Sequence, residues 1–235
     1  MTNLIRRANE RGKADYGWLK TSYSFSFSEY HDPRFMGFGP LRVINDDYIG
    51  GGGGFPTHPH KDMEIVTYVL DGALQHSDSL GNGSIIKAGD VQRMTAGTGI
   101  RHSEFNPSPN ETCHLLQIWI LPNKADYPPS YEQKQFSIAD KQGKLRLIAS
   151  NDGRDGSVTI NQNLALYSSI LQQNDEIKHQ IKKGFGIWVQ IAKGNMFIND
   201  IELYEGDGFA IWDEEKELIF KTNENCEFLL FDIGN

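Results

Sequence analysis

Residues 110–120, Asn-Glu-Thr-Cys-His-Leu-Leu-Gln-Ile-Trp-Ile, align without a gap to residues 223–233, Asn-Glu-Asn-Cys-Glu-Phe-Leu-Leu-Phe-Asp-Ile, with five identities. A repeat at this distance requires two copies of one unit within 235 residues. The correspondence extends upstream, where Asp71-Gly72 followed by Gly89-Asp90 matches Lys193-Gly194 followed by Gly206-Asp207; a loop around Leu80-Gly81-Asn82 lengthens the first copy. Each copy reads as strands. Tyr23, Phe25 and Phe27 alternate with serines, Glu64 to Leu70 is a β-branched run, and Asp71-Gly72 and Gly81-Asn82-Gly83 supply turns. His31 to Pro40 is an aromatic-rich loop before a strand from Leu41 to Ile44. A short helical stretch is expected near Tyr131 to Asp140, and no other segment sustains a 3.6-residue apolar period. Pro122 to Pro129 breaks any regular element and marks the crossing between units. The expectation is an all-β protein with an N-terminal domain over 1–134 and a C-terminal domain over 135–235.

Chemistry concentrates in the first copy. His58-Pro59-His60 and His102-Ser103-Glu104 are each spaced i, i+2, so on extended strands each pair projects from one face with Cα atoms roughly 6.6 Å apart. Two such strands facing one another present three imidazoles and a carboxylate to a single divalent first-row metal. Glu64, four residues after His60, also shares that parity and competes with Glu104 for the fourth place. Of the other histidines, His76 reads as solvated, His31 and His179 lack a partner at ligand spacing, and His114 belongs inside an apolar strand as a hydrogen-bonded residue. The second copy offers Gly184-Phe185-Gly186-Ile187-Trp188 where the first has its histidine pair, so one metal per chain and a closed, structural second barrel are expected. Gly50 to Gly54 lets the backbone turn sharply or approach another group closely; without a following Gly-Lys-Ser/Thr or a helical pattern it is not a phosphate loop.

Charge and composition narrow the partners. The formal net charge of −8 and the lack of a basic cluster beyond Lys182-Lys183 exclude direct nucleic-acid binding. No apolar run approaches the roughly 18 residues of a membrane span, and Met1 to Gly12 carries three arginines without an apolar core behind them. Cys113 and Cys226 are too few for a disulfide framework. A cytoplasmic monomer is expected.

These motifs resemble those of the pirin family of bicupins over essentially the whole chain. The first cupin pattern is met by Gly52, His58, His60 and Glu64, with Gly72 one place late; in the second, Gly89 is in place, two residues are added before His102, Thr95 stands where proline is common, and Asn106 completes it. The stretches His58-Pro59-His60 and Gly97-Thr98-Gly99-Ile100-Arg101-His102-Ser103-Glu104 carry the resemblance to pirins over cupins in general. It implies two tandem cupin, jelly-roll-like β-barrels, of which the C-terminal one lacks metal ligands. It favours Glu104 over Glu64 as fourth ligand, giving the set His58, His60, His102 and Glu104.

The resemblance also implies an activity. Pirin-like bicupins include quercetin 2,3-dioxygenases, in which a flavonol loses its 3-hydroxyl proton and reacts with O2 to open the ring and release carbon monoxide. On that reading Glu104 is both ligand and catalytic base, the metal is divalent with iron favoured over manganese, nickel, cobalt, copper or zinc, and Phe35, Phe38 and Phe55 rim the pocket for a small aromatic substrate. The alternative is a metal-binding regulatory protein acting through a protein partner, as pirin-like transcription cofactors do.

Overall fold

A computed structural model describes residues 3–212 and 215–234. Packing divides the chain into two units, one formed by Gly12–Gln135 with Val158–Gln162, the other by Phe136–Ser157 and Asn163–Asn235 with Met1–Arg11. Two short segments thus depart from a split at 134/135. Leu4–Arg6 pairs antiparallel with Gly208–Trp212, a strand of the second unit, and Asn161 hydrogen-bonds to Glu64 of the first unit. Both are long-range pairings with no local sequence signal.

In the first unit the larger sheet has the spatial order Ser130–Gln135, Asp90–Thr95, Glu64–Asp71, Cys113–Ile120, Leu41–Ile49, Leu19–Tyr23, Gly12–Asp15. A four-stranded sheet, ordered Gly54–His60, Ile100–Phe105, Ala73–Asp78, Gly83–Lys87, completes the barrel. The repeated sequence explains the centre of each unit. Cys113–Ile120 lies between Glu64–Asp71 and Leu41–Ile49, and its copy Cys226–Ile233 lies in the same way between Gly186–Lys193 and Leu164–Leu171. Central strands are covered on both faces, which accounts for their nearly continuous burial and their apolar runs.

The second unit's smaller sheet, ordered Glu176–Gln180, Glu217–Lys221, Asn195–Ile198, Ile201–Tyr204, repeats the pattern of the first. Its interior is filled by Ile187, Val189, Leu218, Phe220, Phe228 and Leu230, all buried.

Two expectations for elements change. The strand begun at Leu41 runs on to Ile49, so it carries Asn45 and Asp47 into the barrel. The segment expected to be helical near Tyr131 is the strand Ser130–Gln135, held by pairing with Asp90–Thr95; the helix is confined to Ile138–Lys141, capped by Ser137 and Asp140. Among the described residues no helix is long and apolar enough to cross a membrane.

Candidate metal centre

Strand parity builds the site. Gly54–His60 pairs antiparallel with Ile100–Phe105, with His58 directly opposite His102 and His60 opposite Ile100. Pro59 and Arg101 point outward and are exposed, while His102 and Glu104 are buried. Gly54 permits this approach. A Cβ there would lie 2.3 Å from the Glu104 carbonyl oxygen. A register shift between His102 and Glu104 sets the carboxylate opposite Phe55.

The three imidazoles converge. Ring centroids are 4.8 Å apart for His58 and His60, 4.4 Å for His58 and His102, and 4.9 Å for His60 and His102. One nitrogen from each falls within 4.8 Å of the others. His58 Nδ1 lies 2.8 Å from the Pro56 carbonyl oxygen; donation there leaves its Nε2 lone pair free. His102 Nε2 is buried without a hydrogen-bond partner among the described residues, and so is Glu104 Oε1. Buried polar atoms left in this state fit a metal, which accepts their lone pairs.

Glu104 stands within the same range of His102 and His76, but does not share a group with His58 and His60. Its other oxygen, Oε2, accepts a hydrogen bond of 2.9 Å from Gln117 Nε2, and Gln117 in turn accepts from Thr67. Burial pushes the Glu104 carboxyl up to about 7, and Asp47 adds to the rise against the Gln117 bond. The histidines shift the opposite way, His60 to about 4 and His102 to about 2, burial first and neighbouring imidazoles second. Neutral imidazoles are the form that binds metal.

Glu64 is fully buried and engaged elsewhere. Its Oε2 accepts from Thr95 Oγ1 at 3.0 Å and from the Asn161 amide at 3.2 Å, and Oε1 accepts from Asn161 Nδ2. His76, expected at the surface, is instead completely buried; it alternates with Leu74 on the inward face of Ala73–Asp78. Its Nε2 donates to Asp78 Oδ2 at 3.1 Å and its Nδ1 accepts from Gln92, so neither nitrogen is available to an ion. His114 is buried and bonds Asp46 at 2.7 Å, inside its strand as expected.

A cavity of about 380 Å³ opens on the site. Its flat walls are Trp18, Phe27, Phe55 and Trp119; His58, His60 and Glu104 stand on one side. Of the expected aromatic rim, Phe55 lines the cavity and Phe35 and Phe38 do not; Phe35 is buried in its own loop. Asn45 and Asp47, unremarked in the sequence, share the inward face of Leu41–Ile49 and line the cavity. Burial pushes the Asp47 carboxyl up to about 7, and its Oδ1 has no hydrogen-bond partner among the described residues. Period-two parity along that strand is the signal that would have found it.

Residues 4–120 match the pirin family, and residues 147–233 match the family described as quercetinase C-terminal cupin domain. The chain belongs to the pirin family. It is 51% identical over 229 residues to a protein of Escherichia coli K12 named quercetin 2,3-dioxygenase, covering 97% of each chain. The crystal structure of YhhW from Escherichia coli superposes with a TM-score of 0.94 at 48% identity, covering 99% of this chain and 97% of that one. A second structure, of bacterial pirin YhhW in complex with nickel(II), has the same TM-score and identity and covers 99% of both chains. With the histidine and carboxylate cluster, this pirin likeness points to a divalent metal.

Proposed function

We propose that this pirin is a metal-dependent dioxygenase that opens flavonols such as quercetin, consuming O2 and releasing carbon monoxide. The supporting observation is the meeting of three imidazole nitrogens within 4.8 Å beside an aromatic-walled cavity. The substrate class is carried over from the Escherichia coli relative named for it. His58, His60, His102 and Glu104 would hold one divalent first-row metal, with iron as first choice and nickel the ion of the YhhW complex. When bound, that ion supplies Lewis acidity and an open position for oxygen chemistry.

The chain's own residues do the rest. Trp18, Phe55 and Trp119 offer a flat ring apolar aromatic surface and exclude water from it. Glu104 takes the 3-hydroxyl proton, while Gln117 keeps the carboxylate oriented through Oε2. Asn45 and Asp47 turn unpartnered side-chain oxygens toward the cavity, where substrate hydroxyls donate to them.

The test separates holding the metal from moving the proton. Glu104→Gln should slow quercetin turnover by about a hundredfold or more while metal content falls much less. His58→Ala/His60→Ala should lose both together. Equal loss of metal and turnover in Glu104→Gln would leave that residue a ligand and no base.

A further inference from the structure

The second barrel was expected to be closed, and its interior is. Its mouth is not. A cavity of about 360 Å³ opens there, lined by Asn163, Tyr167, Lys182, Phe185 and Asp232 among others, all from the C-terminal unit. The internal repeat puts this cavity at the same strand positions as the first. Asp232 takes the place of Trp119 in the repeated strand. Tyr167 pairs across from Leu230 as Asn45 pairs across from Gln117, so Tyr167 takes the place of Asn45. Trp119 and Asn45 line the first cavity, and Asp232 and Tyr167 line the second. One residue ends the parallel: opposite His179 stands Leu218, fully buried, where His102 faces His58. Among the described residues no group of metal-ligating side chains gathers beneath this mouth.

The chemistry of this mouth is specific. Asp232 is 7% exposed, and its Oδ1 is buried without a hydrogen-bond partner among the described residues. Its Oδ2 lies 3.2 Å from His179 Nε2, and the His179 ring tilts against Tyr167. At the rim Lys182 is exposed over the Phe185 ring, and Arg154 stands with its guanidinium on Asp152. A purely anionic ligand would set its charge against Asp232, and a purely cationic one against Lys182 and Arg154. A ligand bearing both charges satisfies the two ends at once.

We propose that the C-terminal barrel binds a small amphoteric molecule of the free amino-acid class, with its ammonium group on Asp232 and its carboxylate at Lys182. Asn163 and Tyr167 add hydrogen-bonding groups between the two ends, and Phe185 with Leu164 offers an apolar surface for the side chain. The inference does not depend on what the first barrel catalyses.

Amide NMR of the full chain, titrated with each proteinogenic L-amino acid to roughly 10 mM, tests it. At least one should give saturable shifts confined to the amides around Asn163, Tyr167 and Phe185. Propionate and propylammonium, each carrying half the charge pattern, should bind at least about tenfold more weakly. Asp232→Asn should weaken the best amino acid by about tenfold or more, and so should Lys182→Gln, whose exposed position leaves the fold intact. Shifts at these amides with no amino acid, equal binding of propionate, or undiminished binding in both variants would each overturn the assignment.

Discussion

His76 Nδ1 lies 3.5 Å from His102 Nδ1, deep in the first barrel. Asp78, whose acidity is increased by Asn82 and His76 against its own burial, accepts only, so His76 carries its proton on Nε2. His76 Nδ1 is then an acceptor whose one lone pair is shared between Gln92 Nε2 at 3.0 Å and, more weakly, His102 Nδ1 at 3.5 Å; that share favours a proton on His102 Nδ1 and leaves His102 Nε2 as the donor atom for the ion. Asp78 and His76 thereby set the tautomer of a proposed ligand without touching the ion. Replacing His76 with phenylalanine should weaken metal retention by about 10–100-fold, measured by chelator competition. Unchanged retention would make His76 a packing residue only.

Acid release of the metal should carry a signature of Glu104. With its carboxyl raised to about 7 and His60 lowered to about 4, the metal-free site below neutrality holds a proton on Glu104 before His60 takes one. Metal binding then displaces that proton, so apparent affinity falls with acidification between about pH 7 and 4 by about one power of ten per pH unit on this account. Glu104→Gln should remove that component of the slope. The same slope in both proteins would assign the proton elsewhere.

Asp47 is a stability liability that rises with pH. Its folded-state pKa of about 7 lies above the ordinary 3.8, so its contribution is fully present below 3.8 and is lost as pH rises through 7. Asp47→Asn should therefore stabilise the metal-free protein increasingly from pH 4 to 7, on the order of a few kcal/mol, and level off above that. Denaturant melts across this range check it; a constant difference would show that Asp47 does not titrate there. The same variant should weaken binding of hydroxylated flavonols.

Gly97 is fixed by space as well as by conformation. It sits at φ +46°, and a Cβ would meet the Tyr127 carbonyl oxygen at 1.8 Å. Because a backbone atom cannot swing aside, Gly97→Ala should cost about 2–4 kcal/mol and lower the melting temperature. A melt within a degree of the parent would contradict the close approach.

Much of this site was legible because period-two alternation is local. The i, i+2 spacing that predicted a common face for His58 and His60 places them on one, and the repeat at 110–120 and 223–233 marks the same central strand in each unit. Asp47 was missed because its role depends on how far Leu41–Ile49 continues and on its pairing with Cys113–Ile120. His76 was read as solvated because histidine is polar, whereas its parity with Leu74 and its bonds to Asp78 and Gln92 allow it to be buried. The pairing of Leu4–Arg6 with Gly208–Ala210 spans nearly the whole chain, and no window of sequence contains both partners.

The most direct measurement is carbon monoxide released against quercetin consumed under air, with the protein loaded in turn with iron, manganese, nickel, cobalt, copper or zinc. The account predicts equimolar release with at least one metal, iron first, and none from His58→Ala/His60→Ala. Full metal occupancy without quercetin consumption for every ion would contradict it and move the function to a metal-bearing protein that acts through a partner.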